Sequence, residues 1–140
     1  QYFNTYTGLK KYMSGVVEAA RSDGFVKTLL GRKRVLRDIN SKNALARTNS
    51  ERVAVNTPIQ GTAADLIKLA MIKIHDRLLK ENLQTKMILQ VHDELVFDVL
   101  KTELKQVQEM VVYEMKNAIP GLRVPLEVGL GSGNNWLEAH

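Results

Sequence analysis

An α+β fold, in which antiparallel strands are backed by helices, is predicted by three features of this 140-residue sequence. Apolar residues recur at helical spacing over several segments, two pairs of short apolar runs each flank turn residues, and one last apolar run alternates near the end of the chain. These patterns place the elements as follows.

Gly8 to Ser22 reads as a helix, because Leu9, Met13, Val16, Val17 and Ala20 recur at three- and four-residue steps; Asp23-Gly24 ends it. A hairpin follows, with Phe25–Leu30 and Lys33–Leu36 flanking Gly31-Arg32, where glycine can supply the positive φ of a tight primed turn. After the polar stretch Asp38–Asn43, a short helix is expected over Ala44–Val55 and a second from Pro58. Pro58 suits a first helical position, and Thr57 with Gln60 matches the Thr-x-x-Gln capping box. From there Ile59, Ala63, Leu66, Ile67, Ala70, Met71, Ile74 and Leu78 form an apolar stripe that ends near Asn82.

Thr85–Val91 and Leu95–Leu100 are apolar, partly alternating runs separated by His92-Asp93-Glu94, which predicts a tight hairpin with an acidic tip. A helix over about Thr102–Ala118 aligns Leu104, Val107, Val111, Met115 and Ala118 and stops at Pro120-Gly121. Leu126, Val128 and Leu130 then alternate with Glu127 and Gly129 as a last strand, and Pro125 places its start where a donor can be spared, such as a sheet edge. There are no repeats or low-complexity segments.

The length bounds the chain to one domain or part of a larger one. No apolar run reaches the roughly 18 residues of a membrane span, and the start Gln1-Tyr2-Phe3-Asn4 has neither an initiator Met nor a signal-peptide layout, so a soluble piece of something longer is expected. Without Cys there is neither a disulfide framework nor a thiolate metal site. The net charge of +5 is unevenly distributed: residues 1–56 hold eleven Lys/Arg against four Asp/Glu, and 57–140 hold nine against eleven. Such a basic segment suits a polyanion, and equally a solvated face.

Two constellations could carry chemistry. Asp93 and Glu94 put adjacent carboxylates at a hairpin tip with apolar flanks. Turns commonly carry Asp for structural reasons, yet carboxylates held there can also ligate Mg²⁺, a hard cation that needs few protein ligands when substrate phosphates supply the rest. That reading requires a further carboxylate nearby. Arg52, Asn56 and Gln60 are spaced four apart, on one side of a helix if the path continues through the predicted break. They form either a bland polar face or a set of donors for minor-groove acceptors and phosphates. Gly129-x-Gly131-x-Gly133 lacks the GxGxxG spacing and reads as a turn. His75 and His140 stand alone, without metal-ligand spacing.

Beyond these local patterns, several blocks resemble the family A DNA polymerases in order and along nearly the whole chain. They are Gly24-Phe25-Val26-x-Thr28-Leu29-x-Gly31-Arg32-Lys33-Arg34, Asp38-Ile39-Asn40-Ser41, Ser50-Glu51-Arg52-x-Ala54-x-Asn56-Thr57-Pro58-Ile59-Gln60-Gly61-Thr62-Ala63-Ala64-Asp65, Gln90-Val91-His92-Asp93-Glu94-Leu95-Val96 and Asn135-Trp136. The third and fourth blocks are the most specific. The resemblance implies a partial palm, with its antiparallel sheet backed by helices over about residues 57–140, and a fingers-side helix and basic hairpin over about 1–56.

The same resemblance implies that Asp93 is a ligand of two catalytic Mg²⁺ ions, with Glu94 in support and His92 near the primer terminus. Arg52, Asn56, Gln60 and Gln90 would contact primer-template DNA, and the reaction would join deoxynucleoside triphosphates to a primer 3′ end in a bacterial cytoplasm. The family's other metal-binding aspartate and its nucleotide-binding helix are expected before residue 1, so the fragment alone is expected to be inactive and to self-associate through an exposed palm edge. Arg37 departs from the family, where many members have Pro before Asp-Ile. An alternative function is a non-catalytic nucleic-acid-binding module, in which residues 1–56 supply phosphate contacts and Asp93 is only a turn residue.

Overall fold

The computed structural model describes residues 5–140. They form two compact units, one extending to Asp65 and the other spanning Leu66–His140. In the first, α1 (Thr7–Asp23) matches the predicted helix and ends on Gly24, whose φ of 76° gives the left-handed cap and whose N–H donates to Ala20 O at 2.9 Å. Strands β1 (Phe25–Lys27) and β2 (Lys33–Val35) pair antiparallel, with Val26 opposite Arg34. Ala20, Val26, Leu36, Ile39 and Ala54 form the core of this unit, with Val16 and Val53 against it.

The hairpin differs from the tight turn predicted at Gly31-Arg32. Its strands are shorter and its loop runs from Thr28 to Arg32, closed by Thr28 N–H to Arg32 O and Gly31 N–H to Thr28 O, both 2.9 Å, with Gly31 at φ 84°. The cause is tertiary. Thr28 is buried, and Leu29 N–H donates to Thr62 Oγ1 at 2.9 Å, so the segment expected to extend β1 is folded onto a helix. Further on, Ile39 N–H reaches Leu36 O at 3.3 Å and closes a turn in which Arg37 stands where a proline is favoured; the turn forms without it.

The largest correction concerns α2 (Ala44–Lys80), a single 37-residue helix that runs through Pro58. Asn43 starts it by accepting N–H bonds from Leu45 (2.9 Å) and Ala46 (3.3 Å). The capping box at Thr57 does not form: Thr57 is a buried helical residue whose hydroxyl makes no hydrogen bond among the described residues. An interior proline costs about 3 kcal/mol. Contacts on both sides of it oppose a break, because Ala54 is fully buried before Pro58 while Gly61, Thr62 and Asp65 hold the Thr28–Arg32 loop after it. The Thr62 hydroxyl also donates to Pro58 O within the helix. At the other end Asn82, at φ 52°, lets Leu83 N–H reach Leu78 O at 3.0 Å and Asn82 N–H reach Leu79 O at 3.2 Å, a Schellman stop.

In the second unit, β3 (Lys86–Val91) and β4 (Glu94–Asp98) form an antiparallel pair. A 3₁₀ turn (Lys101–Glu103) leads into α3 (Leu104–Lys116), and a short α4 (Trp136–Ala139) closes the chain. The core joins Ala70, Ile74 and Leu78 of α2 to Val107, Met110 and Val111 of α3 and to Ala118, with Leu95, Phe97 and Val99 packed against it. Polar bridges lock these parts. Arg77 binds Glu81 (2.8 Å) and buried Glu114 (3.2 Å), and Lys73 Nζ caps α3 through Asn117 O at 2.9 Å. The paired Glu81, together with Glu114, raises the Arg77 pKa, and the guanidinium lowers that of Glu81.

The base of the β3–β4 hairpin is tied by Glu103. Its carboxylate accepts from Gln84 N–H (2.9 Å), Thr85 N–H (3.0 Å) and the Thr85 hydroxyl (2.7 Å), and these donors hold its pKa below the ordinary value. The register slips between Met87 and Leu89, a bulge at Ile88 that explains why the alternation in this run was only partial. The predicted last strand does not form. Leu126 and Val128 are partly buried and alternate with exposed Glu127 and Gly129, yet no ladder forms there, because alternation specifies faces and a strand also needs a partner edge. Both sheets among the described residues are therefore two-stranded. No helix among these residues is long and apolar enough to cross a membrane.

Candidate functional site

The acidic tip is tighter than the sequence suggested. Val91 pairs with Glu94, so the loop is His92-Asp93 alone, and Glu94 is the first residue of β4. A two-residue hairpin loop requires positive φ, and His92 supplies it at 52°. Asp93 is exposed at the apex and has no cation within ion-pair distance among the described residues. Gln90 Nε2 reaches across to His92 O at 2.8 Å and ties the loop from within, a local role that the sequence did not reveal. Glu94 is partly exposed and lies 3.3 Å from His140 Nδ1, although the sequence showed His140 as isolated. No local pattern could have linked two residues so far apart in the chain.

The donors at this tip are hard carboxylate oxygens, which suit Mg²⁺ in kind. In number they are incomplete: no group of three His, Cys, Asp or Glu side chains able to hold a metal occurs among the described residues.

In the first unit, Arg52, Asn56 and Gln60 are all exposed on α2. Because the helix does not break at Pro58, their four-residue spacing puts them along one side. Arg52 and Asn56 line a cleft of about 840 Å³ between α1 and α2, together with Met13, Val17 and the Arg21–Glu51 ion pair of 2.6 Å. On the neighbouring hairpin, Lys27 and Lys33 sit 5.4 and 4.6 Å from the centre of the Phe25 ring, so the aromatic face gathers two cations on one surface. Arg32 is employed differently: it pairs with Asp65 at 2.7 Å and donates to Gly61 O at 3.0 Å. The structure thus groups Arg52, Asn56 and Gln60 in one unit and Gln90, His92, Asp93 and Glu94 in the other.

Comparison with known proteins identifies the framework that carries these groups. Residues 1–138 match the family model described as DNA polymerase family A. The chain belongs to DNA polymerase family A. Among its relatives, DNA polymerase I of Caldicellulosiruptor bescii is 49% identical over 138 residues, covering 99% of this chain and 16% of that protein. DNA polymerase I of Mycobacterium leprae is 48% identical over 136 residues, covering 97% and 15% respectively. A solved structure described as the POL domain of Pol1 from M. smegmatis, in complex with DNA primer-template and dNTP, superposes with a TM-score of 0.94 at 45% identity, over 99% of this chain and 24% of that one. This family A chain therefore spans about one-sixth of the length of the curated relatives it matches. Its helices and small antiparallel hairpins follow the fold of the corresponding part of a polymerase domain.

Proposed function

We propose that this chain is the part of a bacterial, cytoplasmic DNA-directed DNA polymerase that supplies one carboxylate pair and one DNA-contacting helix face to the site where deoxynucleotides are added to a primer 3′ end. The observation that carries this reading is Asp93 held exposed at the apex of a two-residue turn, with no basic side chain in ion-pair distance among the described residues, in a chain of family A. In this reading about residues 1–56 belong to the fingers side and about 57–140 to the palm.

The chemistry follows from the side chains. The primer 3′-hydroxyl attacks the α-phosphate of the incoming nucleotide, and pyrophosphate leaves. Asp93, with Glu94 in support, would hold Mg²⁺, and a pair of such ions would supply charge neutralisation for the phosphoryl transfer. His92 faces the primer terminus from the same turn. Arg52, Asn56 and Gln60, joined by Gln90, donate to the minor-groove acceptors that every correct base pair presents in the same place, so all sequences are held alike. Because the tip offers only Asp93 and Glu94, the chain alone is proposed not to extend a primer, and its partners in the complete enzyme are primer-template DNA and deoxynucleoside triphosphates.

Primer extension by the full-length polymerase tests this, with wild type and Asp93→Asn compared under Mg²⁺ at equal primer-template occupancy. Loss of a metal ligand should cost more than the ~10–100-fold typical of losing an outer-shell partner. Unchanged extension would show that Asp93 is only a turn residue. Salt-sensitive DNA binding with no Mg²⁺-dependent extension in the wild type would point to a non-catalytic binding module instead.

A further inference from the structure

Beside the loop that carries Asp93 lies a residue outside the polymerase blocks, His140. We propose that His140 is a positioning residue for Glu94, holding that carboxylate in place next to the Asp93 turn from a separately braced segment of the chain. The inference rests on the proposed function of Asp93 and Glu94 and deepens it.

The segment before His140 has little freedom. Asn135 Oδ1 accepts the Glu138 N–H at 3.0 Å and caps α4. Glu138 returns the bond: its carboxylate accepts from Asn134 N–H at 2.8 Å, Asn134 Nδ2 at 3.3 Å and Asn135 Nδ2 at 2.8 Å, a reciprocal box built from consecutive asparagines. Gly131 and Gly133 lie so close to Ala139 and Glu138 that a Cβ on either glycine would collide with them. A braced turn of this kind delivers His140 to one place, and there its Nδ1 is 3.3 Å from Glu94 Oε1.

On the other side, Glu94 is fixed by its ladder partner Val91, and Gln90 ties the loop between them. Among the described residues His140 is the only basic side chain within ion-pair distance of Glu94. The pair is largely exposed, with side-chain exposures of 69% and 43%, and exposed pairs contribute little to stability. A contact that does little for stability can still set the direction of a carboxylate, which is the role of outer-shell partners around metal-binding groups.

The test uses the full-length polymerase with His140→Ala, His140→Asn, Glu94→Gln and the His140→Ala/Glu94→Gln double variant, alongside Asp93→Asn. His140→Ala should lower kcat about tenfold, within the range for losing an outer-shell partner, while KM for the nucleotide and affinity for primer-template stay as in wild type. His140→Asn places an amide nitrogen where the ring Nδ1 stands and should restore most of the loss. Adding His140→Ala to Glu94→Gln should cost nothing further. Independently of turnover, affinity for Mn²⁺ alone, followed by electron paramagnetic resonance, should weaken in His140→Ala and recover in His140→Asn.

If Asp93→Asn abolishes extension while His140→Ala changes neither kcat nor Mn²⁺ affinity, the inference about His140 fails and the proposed function stands. Equal losses in His140→Ala and His140→Asn would also overturn it, since the donor nitrogen would then be irrelevant. If Asp93→Asn extends primers normally, the proposed function fails, and the inference falls with it.

Discussion

The two hairpins are held in opposite ways. The β1–β2 hairpin is anchored by its loop: Leu29 donates to Thr62, and Arg32 grips Asp65 and Gly61. Its ladder is only three residue pairs long and β2 is exposed throughout, so Lys33 and Arg34 face outward. The β3–β4 hairpin is anchored at its base by Glu103 and along one face by Leu95, Phe97 and Val99, and its loop projects with Asp93. A two-stranded hairpin is marginal by itself in water, so each needs an external anchor. The position of the anchor decides which part is displayed, basic strands in one case and an acidic tip in the other.

The first anchor should be the more costly to disturb. A Cβ on Gly61 would lie 2.6 Å from buried Thr28 Cγ2 and 3.4 Å from Arg32 Nη2. Alanine gains up to about 1 kcal/mol over glycine in a helix interior, whereas forcing extra volume into a packed contact costs about 1–3 kcal/mol. The collision is with a β-branched, buried side chain, so the cost should prevail. Gly61→Ala is expected to lower stability by about 1–2 kcal/mol in urea melts. Hydrogen exchange should accelerate over residues 25–35 and stay unchanged over 86–98. Equal acceleration in both hairpins would mean that the loop contact is not a local anchor.

How much of this was legible beforehand depends on which interactions decide each element. Helices α1 and α3 and the existence of both hairpins were readable, because amphipathic spacing and apolar runs flanking turn residues are local signals, whereas the longer Thr28–Arg32 loop was not. The break at Pro58 was misread, because Thr57 and Gln60 are sound local capping signals that contacts to Thr28 and Arg32, far away in sequence, override. Leu126–Leu130 was misread because alternation cannot report whether a partner strand exists. For the site, residue types at the acidic tip were visible, but their significance came from family resemblance. The contact between His140 and Glu94 is tertiary and left no trace in spacing.

The second anchor is a carboxylate held by neutral donors, whereas the first shares its hold between the Arg32–Asp65 ion pair and the neutral Leu29–Thr62 hydrogen bond. Donors from Gln84 and Thr85 lower the pKa of Glu103, so the folded state favours the ionised form. A lowered folded pKa means the stabilisation is complete above the unfolded value of about 4.3 and is lost as pH falls through the lower folded value. Glu81 and Glu138 are shifted the same way by Arg77 and by Asn134, so acid acts in one direction at all three. The urea midpoint should therefore fall as pH drops below about 5, and Glu103→Gln should flatten part of that dependence. The β1–β2 loop keeps the Leu29–Thr62 hydrogen bond, which does not titrate, when its Asp65 carboxylate is protonated, so exchange over 86–91 should respond to acid more than exchange over 25–27. The opposite order would remove Glu103 as the anchor of the acidic hairpin.

The smallest effect expected concerns the exposed flank of that same hairpin. Ile88 and Leu89 are 59% and 45% exposed, and β3 pairs with β4 on one side only, which leaves unpaired backbone next to apolar side chains. Open strand edges of this composition template pairing with a second copy, and a single inserted lysine is a common protection. The isolated 140-residue chain is thus proposed to self-associate weakly, and light scattering should show a mean mass that rises with concentration. Ile88 is the bulged residue and lies outside the regular pairing, so Ile88→Lys should disturb the ladder little while adding charge at the edge. The variant should bring the apparent mass close to that of a monomer without moving the urea midpoint. A wild-type chain that is already monomeric at every concentration would show that the edge is protected in solution. A variant that remains associated would move the contact elsewhere, with the exposed strands of the basic hairpin the next surface to test.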